Sequence, residues 1–251
     1  MVRHALITGA SRGIGEAVAR ALAARGLRVS LVARDRDALD RVAAACGGAR
    51  AIPCDVTDEA ALRAAFAAAR EAFGPIAVLV NNAGAVETAP FRTLDLEALR
   101  RMLRLHVEAA FLACLEAVPD MRAVGWGRIV NVASTAGLKG IPYVAPYVIA
   151  KHGLVGLTKA LALEVAGDGI TVNAVCPGYT DTHLLREAVA RIARTTGRPA
   201  PELLQEIAAR NPMRRLVPPA EVAALVAHLC SDEASAITGS CLVIDAGELA
   251  S

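Results

Sequence analysis

No uninterrupted apolar stretch in this 251-residue chain reaches the roughly 20 residues that a bilayer-spanning helix needs. An excess of one charge is also missing. Lys and Arg number 27 against 25 Asp and Glu, and a formal net charge of +2 offers no field for nucleic acid or an anionic membrane. The six cysteines (Cys46, Cys54, Cys114, Cys176, Cys230 and Cys241) are scattered, with no C-x-x-C pair. They read as small buried fillers in a reducing compartment rather than as disulfides or metal ligands. A strand pattern begins within a few residues of the N-terminus and leaves no room for a cleavable leader, so the expected location is the cytoplasm. There is no internal repeat and no low-complexity linker apart from general alanine enrichment. What remains is one expected α/β domain over residues 1–251, long enough to bury a large core.

Short apolar runs alternate with helical patterns. Strands are expected at His4–Thr8, Leu27–Val32, Ala51–Pro53, Ala77–Val80, Arg128–Val132, Ile170–Val175 and Leu242–Asp245. Between them, helical patterns begin at Ala17 and cover Asp37–Cys46, Glu59–Phe73, Leu96–Met121, Tyr147–Val165 and Glu221–Cys230. Such alternation implies a doubly wound, Rossmann-like parallel sheet of about seven strands, with helices on both faces and right-handed crossovers. Ligands of such sheets bind beyond the carboxyl ends of the strands.

Two constellations carry chemistry. The first strand stops at Thr8-Gly9-Ala10-Ser11-Arg12-Gly13-Ile14-Gly15, just before a helix. Glycines let the backbone approach an anion, while unpaired N–H groups and the helix dipole face it. The spacing is T-G-x-x-x-G-x-G, not G-x-G-x-x-G, and a glycine turn alone also suits any tight connection. The second constellation is Tyr147 and Lys151, four apart on one helix face, with Ser134 thirteen residues before the tyrosine. A free phenol titrates near pH ~10; a lysine one turn away favours the phenolate, and Ser134 offers a hydroxyl to a substrate oxygen. Taken alone, the pair reads more readily as a packed tyrosine beside a surface lysine, and the rest of the chain changes that balance.

Together with Asn81-Asn82-Ala83-Gly84 and Pro177-Gly178, these segments resemble, in order and over essentially the whole chain, the short-chain dehydrogenase/reductase family. Ala145 to Gly178 looks most like the polyketide ketoreductases and 3-oxoacyl reductases. The resemblance implies a nicotinamide-dependent oxidoreductase acting on a ketone and a secondary alcohol, with Ser134, Tyr147 and Lys151 catalytic. It assigns the cofactor to Thr8, Gly9, Ser11, Arg12, Gly13, Ile14 and Gly15 in the turn, and to Asp55-Val56 at the adenine. Further cofactor contacts would come from Asn82-Ala83-Gly84, from Tyr147 and Lys151, and from Pro177, Gly178, Thr180 and Thr182. The family's fourth catalytic residue is an asparagine whose helix kink presents a main-chain carbonyl to a water in the proton relay. Leu105-His106-Val107 places His106 there. Any residue supplies a carbonyl, so His106 is either a neutral histidine filling the asparagine's space or a proton carrier in its own right.

Charge points to NADP over NAD. Selective NAD enzymes place an acid at the end of the second strand; here Ala33 and Arg34 stand there, and Arg34 with Arg12 is suited to a 2′-phosphate unless both are ordinary surface arginines. Residues 179–213 are expected to form a substrate lid. Its arginines, Arg186, Arg191, Arg194, Arg198 and Arg210, with Arg214 and Arg215 just beyond, suit either the phosphates of coenzyme A or a carrier protein, or a solvated helix face. The substrate reading is a 3-oxoacyl thioester, with small cyclic or aromatic ketones and alcohols as the alternative. A dinucleotide-binding sensor with impaired catalysis is a further alternative. A homotetramer is expected from the resemblance alone, through Leu96–Met121, Tyr147–Val165 and the last strand, where Ala160, Ala162 and Ala166 permit close helix approach.

Overall fold

Near-continuous apolar runs bury both faces of the central strands, so those strands need a helical layer on either side. The computed structural model describes residues 2–250. Its strands are β1 (His4–Thr8), β2 (Arg28–Ala33), β3 (Arg50–Pro53), β4 (Val78–Asn81), β5 (Gly127–Val132), β6 (Ile170–Pro177) and β7 (Cys241–Ile244). All pair in parallel, in the order β3-β2-β1-β4-β5-β6-β7. The helices are α1 (Gly13–Ala24), α2 (Arg36–Ala45), α3 (Glu59–Phe73), α4 (Leu96–Leu103), α5 (Ala109–Val124), α6 (Ala145–Val165), α7 (His183–Thr196), α8 (Ala200–Ala208) and α9 (Pro219–Leu229). This is the expected doubly wound α/β sheet. The strand order turns back between β1 and β4, which opens a crevice at their carboxyl ends.

Neighbouring residues of one strand serve opposite layers. Ala5 and Ile7 of β1 pack with Val18 and Leu22 of α1, Leu39 of α2 and Val222 and Val226 of α9. Leu6 between them packs with Leu62 and Phe66 of α3, Ala113 and Met121 of α5 and Val165 of α6. Each fully buried Leu, Ile or Phe contributes about 1.5–3 kcal/mol, so a one-residue slip of β1 reverses both layers at once. No helix among the described residues is long and apolar enough to cross a membrane.

Most element ends differ from the sequence expectation by one or two residues. Leu96–Met121 differs more. It is α4, then a π-helical turn over Arg104–Glu108, then α5. His106 is the buried residue of that turn. One extra residue in a single turn leaves the apolar spacing on either side intact, so pattern alone reads straight through it. Segment 179–213 holds α7 and α8, and Gly197 ends α7 in the left-handed region at φ 71°.

Candidate active site

The carboxyl ends of β1, β4, β5 and β6 deliver the chemically distinctive residues to one crevice. After β1 the chain turns at Gly9 (φ 65°) and enters α1 at Gly13. The turn is locked from β4. Asn82 Nδ2 donates to the carbonyls of Thr8 and Gly9, both at 3.0 Å, and the N–H groups of Asn82 and Ala83 donate to Thr8 Oγ1 at 3.0 and 3.1 Å. A Cβ on Gly15 would lie 2.3 Å from the Gly9 carbonyl oxygen and 2.5 Å from Asn82 Nδ2, so no side chain fits there. The first amides of α1 have no intrahelical acceptor and face outward as anion donors. Thr182, the side-chain cap of α7, closes against the turn: a Cβ built on Gly13 would lie 3.4 Å from Thr182 Cγ2. Gly178 follows β6 and donates to Ile244 O at 3.1 Å, while Thr180 Oγ1 donates to Gly178 O at 3.1 Å. This donor-lined cradle fits a dinucleotide pyrophosphate.

Ser134, Tyr147 and Lys151 come together as the spacing requires. Ser134 Oγ accepts from Ala136 N–H at 3.1 Å, and its hydroxyl hydrogen-bonds the Tyr147 phenol. Lys151 is buried and donates to Val132 O at 2.8 Å, with Nζ 5.6 Å from the Tyr147 ring centroid. Burial lowers Lys151 to about 7. The phenol departs from the sequence expectation. Burial pushes Tyr147 up, and the Ser134 hydroxyl only partly opposes it. The protein by itself therefore keeps the phenol protonated, the form that donates a proton to a ketone.

His106 lies against the phenol ring. Its ring meets the Tyr147 ring edge-on, with centroids 5.3 Å apart at 80°. Nε2 lies 2.8 Å from Ala85 O; a carbonyl only accepts, so Nε2 carries the proton and Nδ1 keeps its lone pair. Nδ1 is buried and has no partner among the described residues. Burial, then the Lys151 charge, lowers His106 to about 3. The ring fits because Gly84 faces it: a Cβ there would lie 2.8 Å from Cε1. A neutral imidazole with one fixed tautomer positions the loop at Ala85 and is a poor proton carrier near neutrality.

Just after β3, Asp55 accepts from Thr57 N and Oγ1 at 3.0 and 2.8 Å, and these bonds hold its carboxyl below the usual range. Val56 is buried beside it. Asp35 turns into α2 as its cap, accepting from Ala38 N at 3.0 Å. Arg34 and Arg12 are exposed and make no ion pair among the described residues. Ser11 sits in the turn and Ile14 in the first turn of α1, both partly exposed.

Sequence reasoning missed a buried polar chain beneath the site. Asn81 Nδ2 donates to Asn131 Oδ1 at 2.9 Å, Asn131 Nδ2 donates to Thr158 Oγ1 at 2.9 Å, and Thr158 donates to Leu154 O at 2.8 Å. It joins β4, β5 and α6, and so fixes the helix bearing Tyr147 and Lys151 on the sheet. The available signal was Asn131 inside an otherwise apolar strand pattern.

Residues 9–248 match a family model described as enoyl-(acyl carrier protein) reductase. The granaticin polyketide synthase putative ketoacyl reductase 1 of Streptomyces violaceoruber is 40% identical over 252 residues, covering 97% of this chain and 92% of that protein. The cis-4-hydroxycyclohexanecarboxylate dehydrogenase of Sinomonas cyclohexanicum is 41% identical over 250 residues, covering 98% and 96%. A crystal structure of a variant actinorhodin polyketide ketoreductase with NADPH superposes with a TM-score of 0.94 at 38% identity, covering 98% of this chain and 97% of that one. With the Ser134, Tyr147 and Lys151 geometry and the glycine cradle, these likenesses place the chain in the short-chain dehydrogenase/reductase family, as an NAD(P)-dependent oxidoreductase of alcohols and ketones.

Proposed function

We propose that the protein is an NADPH-dependent reductase whose ketone oxygen sits between the hydroxyls of Ser134 and Tyr147. The observation that carries this reading is the protonated, buried phenol with the Ser134 hydroxyl hydrogen-bonded beside it, two hydroxyls that can close on one carbonyl oxygen. Bound in the cradle, NADPH supplies the hydride. Tyr147 donates the proton, Ser134 orients the oxygen, and Lys151 holds the nicotinamide ribose. His106 acts through its backbone kink and its grip on Ala85. A pH–rate limb near 7 then belongs to Lys151. The expected result for His106→Asn is retained activity with that limb in place; its disappearance would make His106 a proton carrier.

NADP is favoured because Arg12 and Arg34 are without ion pairs at the adenosine end, whereas Arg20, Arg36, Arg63, Arg70 and Arg101 are paired. Loss of a charge-assisted contact costs about 1.5–3 kcal/mol. Arg34→Ala should therefore weaken NADPH about 10- to 100-fold while leaving NADH nearly unchanged, read by titration of each nucleotide. Equal weakening of both removes Arg34 from phosphate recognition.

The 3-oxoacyl thioester reading draws support from the likeness to putative ketoacyl reductases. One observation favours a small ring ketone instead. Three of the arginines in and just after the lid are paired with carboxylates, Arg186 with Asp181, Arg198 with Glu206 and Arg215 with Glu221, while Arg191 bonds Val86 O and Arg210 bonds Tyr179 Oη. The three ion pairs reduce the field available to a carrier's phosphate. Turnover of both substrate types under nicotinamide absorbance separates the two. α7 and α8 would act as the lid over residues 179–213 of the single domain. A homotetramer through the outer faces of α5 and α6 fits exposed Phe111, Leu115, Ile149 and Leu163, whereas Ala162 is buried against the subunit's own sheet.

A further inference from the structure

Aromatic residues are few, one Trp, three Tyr and four Phe, yet all three tyrosines lie on the segments around the crevice. Tyr147 has its role. Tyr143, four residues before it, has none so far, and its conformation is unusual. Its φ is 68°, in the left-handed region that bulky side chains avoid, and its residue surface is 63% exposed.

Two ordinary explanations fail for a tyrosine at this position. Backbone need does not explain it, because glycine takes the same φ without strain. Packing does not explain it either, because the side chain is mostly in solvent. The surroundings hold the backbone in place. Tyr143 O accepts from Ala89 N–H at 2.8 Å, which ties the Ser134–Tyr147 connection to the segment after β4. That segment is itself pinned by His106 on Ala85 O, by Arg101 on both carboxylate oxygens of Glu87, and by Arg191 of α7 on Val86 O. On the far side, Lys139 pairs with Glu248 at 2.9 Å. Phe91, 80% exposed, lies two residues past Ala89 in the chain. Strain that neither packing nor backbone geometry repays, four residues before the reacting tyrosine, is the pattern of a residue kept for a ligand.

We infer that Tyr143 determines specificity, its ring stacking on a flat or cyclic carbon skeleton whose carbonyl is held between Ser134 and Tyr147. The inference rests on the ketone reduction proposed above and deepens it: ring ketones are preferred over open chains. Aromatic faces favour offset or edge-on contact with such skeletons, and the phenol's two side-chain torsions cost little entropy to order.

The test compares kcat/KM for 2-tetralone and for 2-octanone with NADPH, in the full chain and in Tyr143→Gly and Tyr143→Phe. The ratio of 2-tetralone to 2-octanone should fall about three- to tenfold in Tyr143→Gly, mainly through KM, and should be kept in Tyr143→Phe. Tyr143→Gly should also melt no lower than the parent, since it relieves the left-handed strain, so misfolding cannot produce the shift. An unchanged ratio in a wild-type enzyme that reduces both ketones overturns the inference alone. A wild-type chain that binds NADPH and reduces neither ketone overturns the reaction reading and this inference together.

Discussion

Tyr147→Phe is expected to lower kcat for ketone reduction at least ~10²-fold, the lower end of what a positioned general acid contributes. The structure makes the size of this effect specific. Burial holds the phenol protonated, and the Ser134 hydroxyl sits against it, so one oxygen both donates the proton and completes the two-hydroxyl clamp on the carbonyl. Phenylalanine keeps the ring, its edge-on contact with His106 and its packing, and removes only that oxygen. NADPH affinity and thermal unfolding should therefore stay close to the parent. Turnover within a few-fold of wild type, in a folded variant that binds NADPH, would take the proton away from Tyr147.

Gly15→Ala should be the most damaging change to the cofactor cradle. The new methyl would stand 2.3 Å from a backbone carbonyl oxygen and 2.5 Å from the amide of Asn82. Neither neighbour yields cheaply, because Asn82 Nδ2 is already bonded to both Thr8 O and Gly9 O. Overpacking of this kind costs about 1–3 kcal/mol, which for a chain of this length lowers Tm by roughly 2–12 °C. The clamp between β1 and β4 would open as well, so NADPH affinity should fall more than tenfold. Wild-type affinity with unchanged Tm would show that the turn relaxes freely.

The sheet and the main site residues were legible in the sequence because strand periodicity and motif spacing are local. Thr8-Gly9-x-x-x-Gly13-x-Gly15 announces its own turn, and Tyr147 and Lys151 share a helix face wherever that helix sits. The parts that were not legible depend on distance or burial. The π-turn at His106 leaves the apolar pattern on both sides undisturbed. The left-handed backbone of Tyr143 has no residue signature of its own, because its carbonyl is held by Ala89, far away in the sequence. The upward push on the Tyr147 phenol reverses a charge argument that considered only Lys151 and not the burial of both groups. The choice between a phosphate cluster and a solvated face for the lid arginines could not be made from the sequence, because the carboxylate partners of Arg186, Arg198 and Arg215 are set by the fold.

The π-turn also protects the phase of everything after it. An α-helix rotates about 100° per residue, but an i→i+5 bond closes a turn with one more residue than an i→i+4 bond, so the surplus residue in Arg104–Glu108 is absorbed where it stands. Removing a single residue there would give α4 and α5 one regular hydrogen-bond ladder and leave Ala113, Ala117 and Met121 facing the core they now fill. The same deletion inside α5 would instead swing the residues after it about a quarter-turn. The irregular turn is thus a local widening that leaves the two helices in phase. It lets one continuous stretch of chain hold His106 beneath the reacting tyrosine and still bury the correct stripe of α5 three turns later.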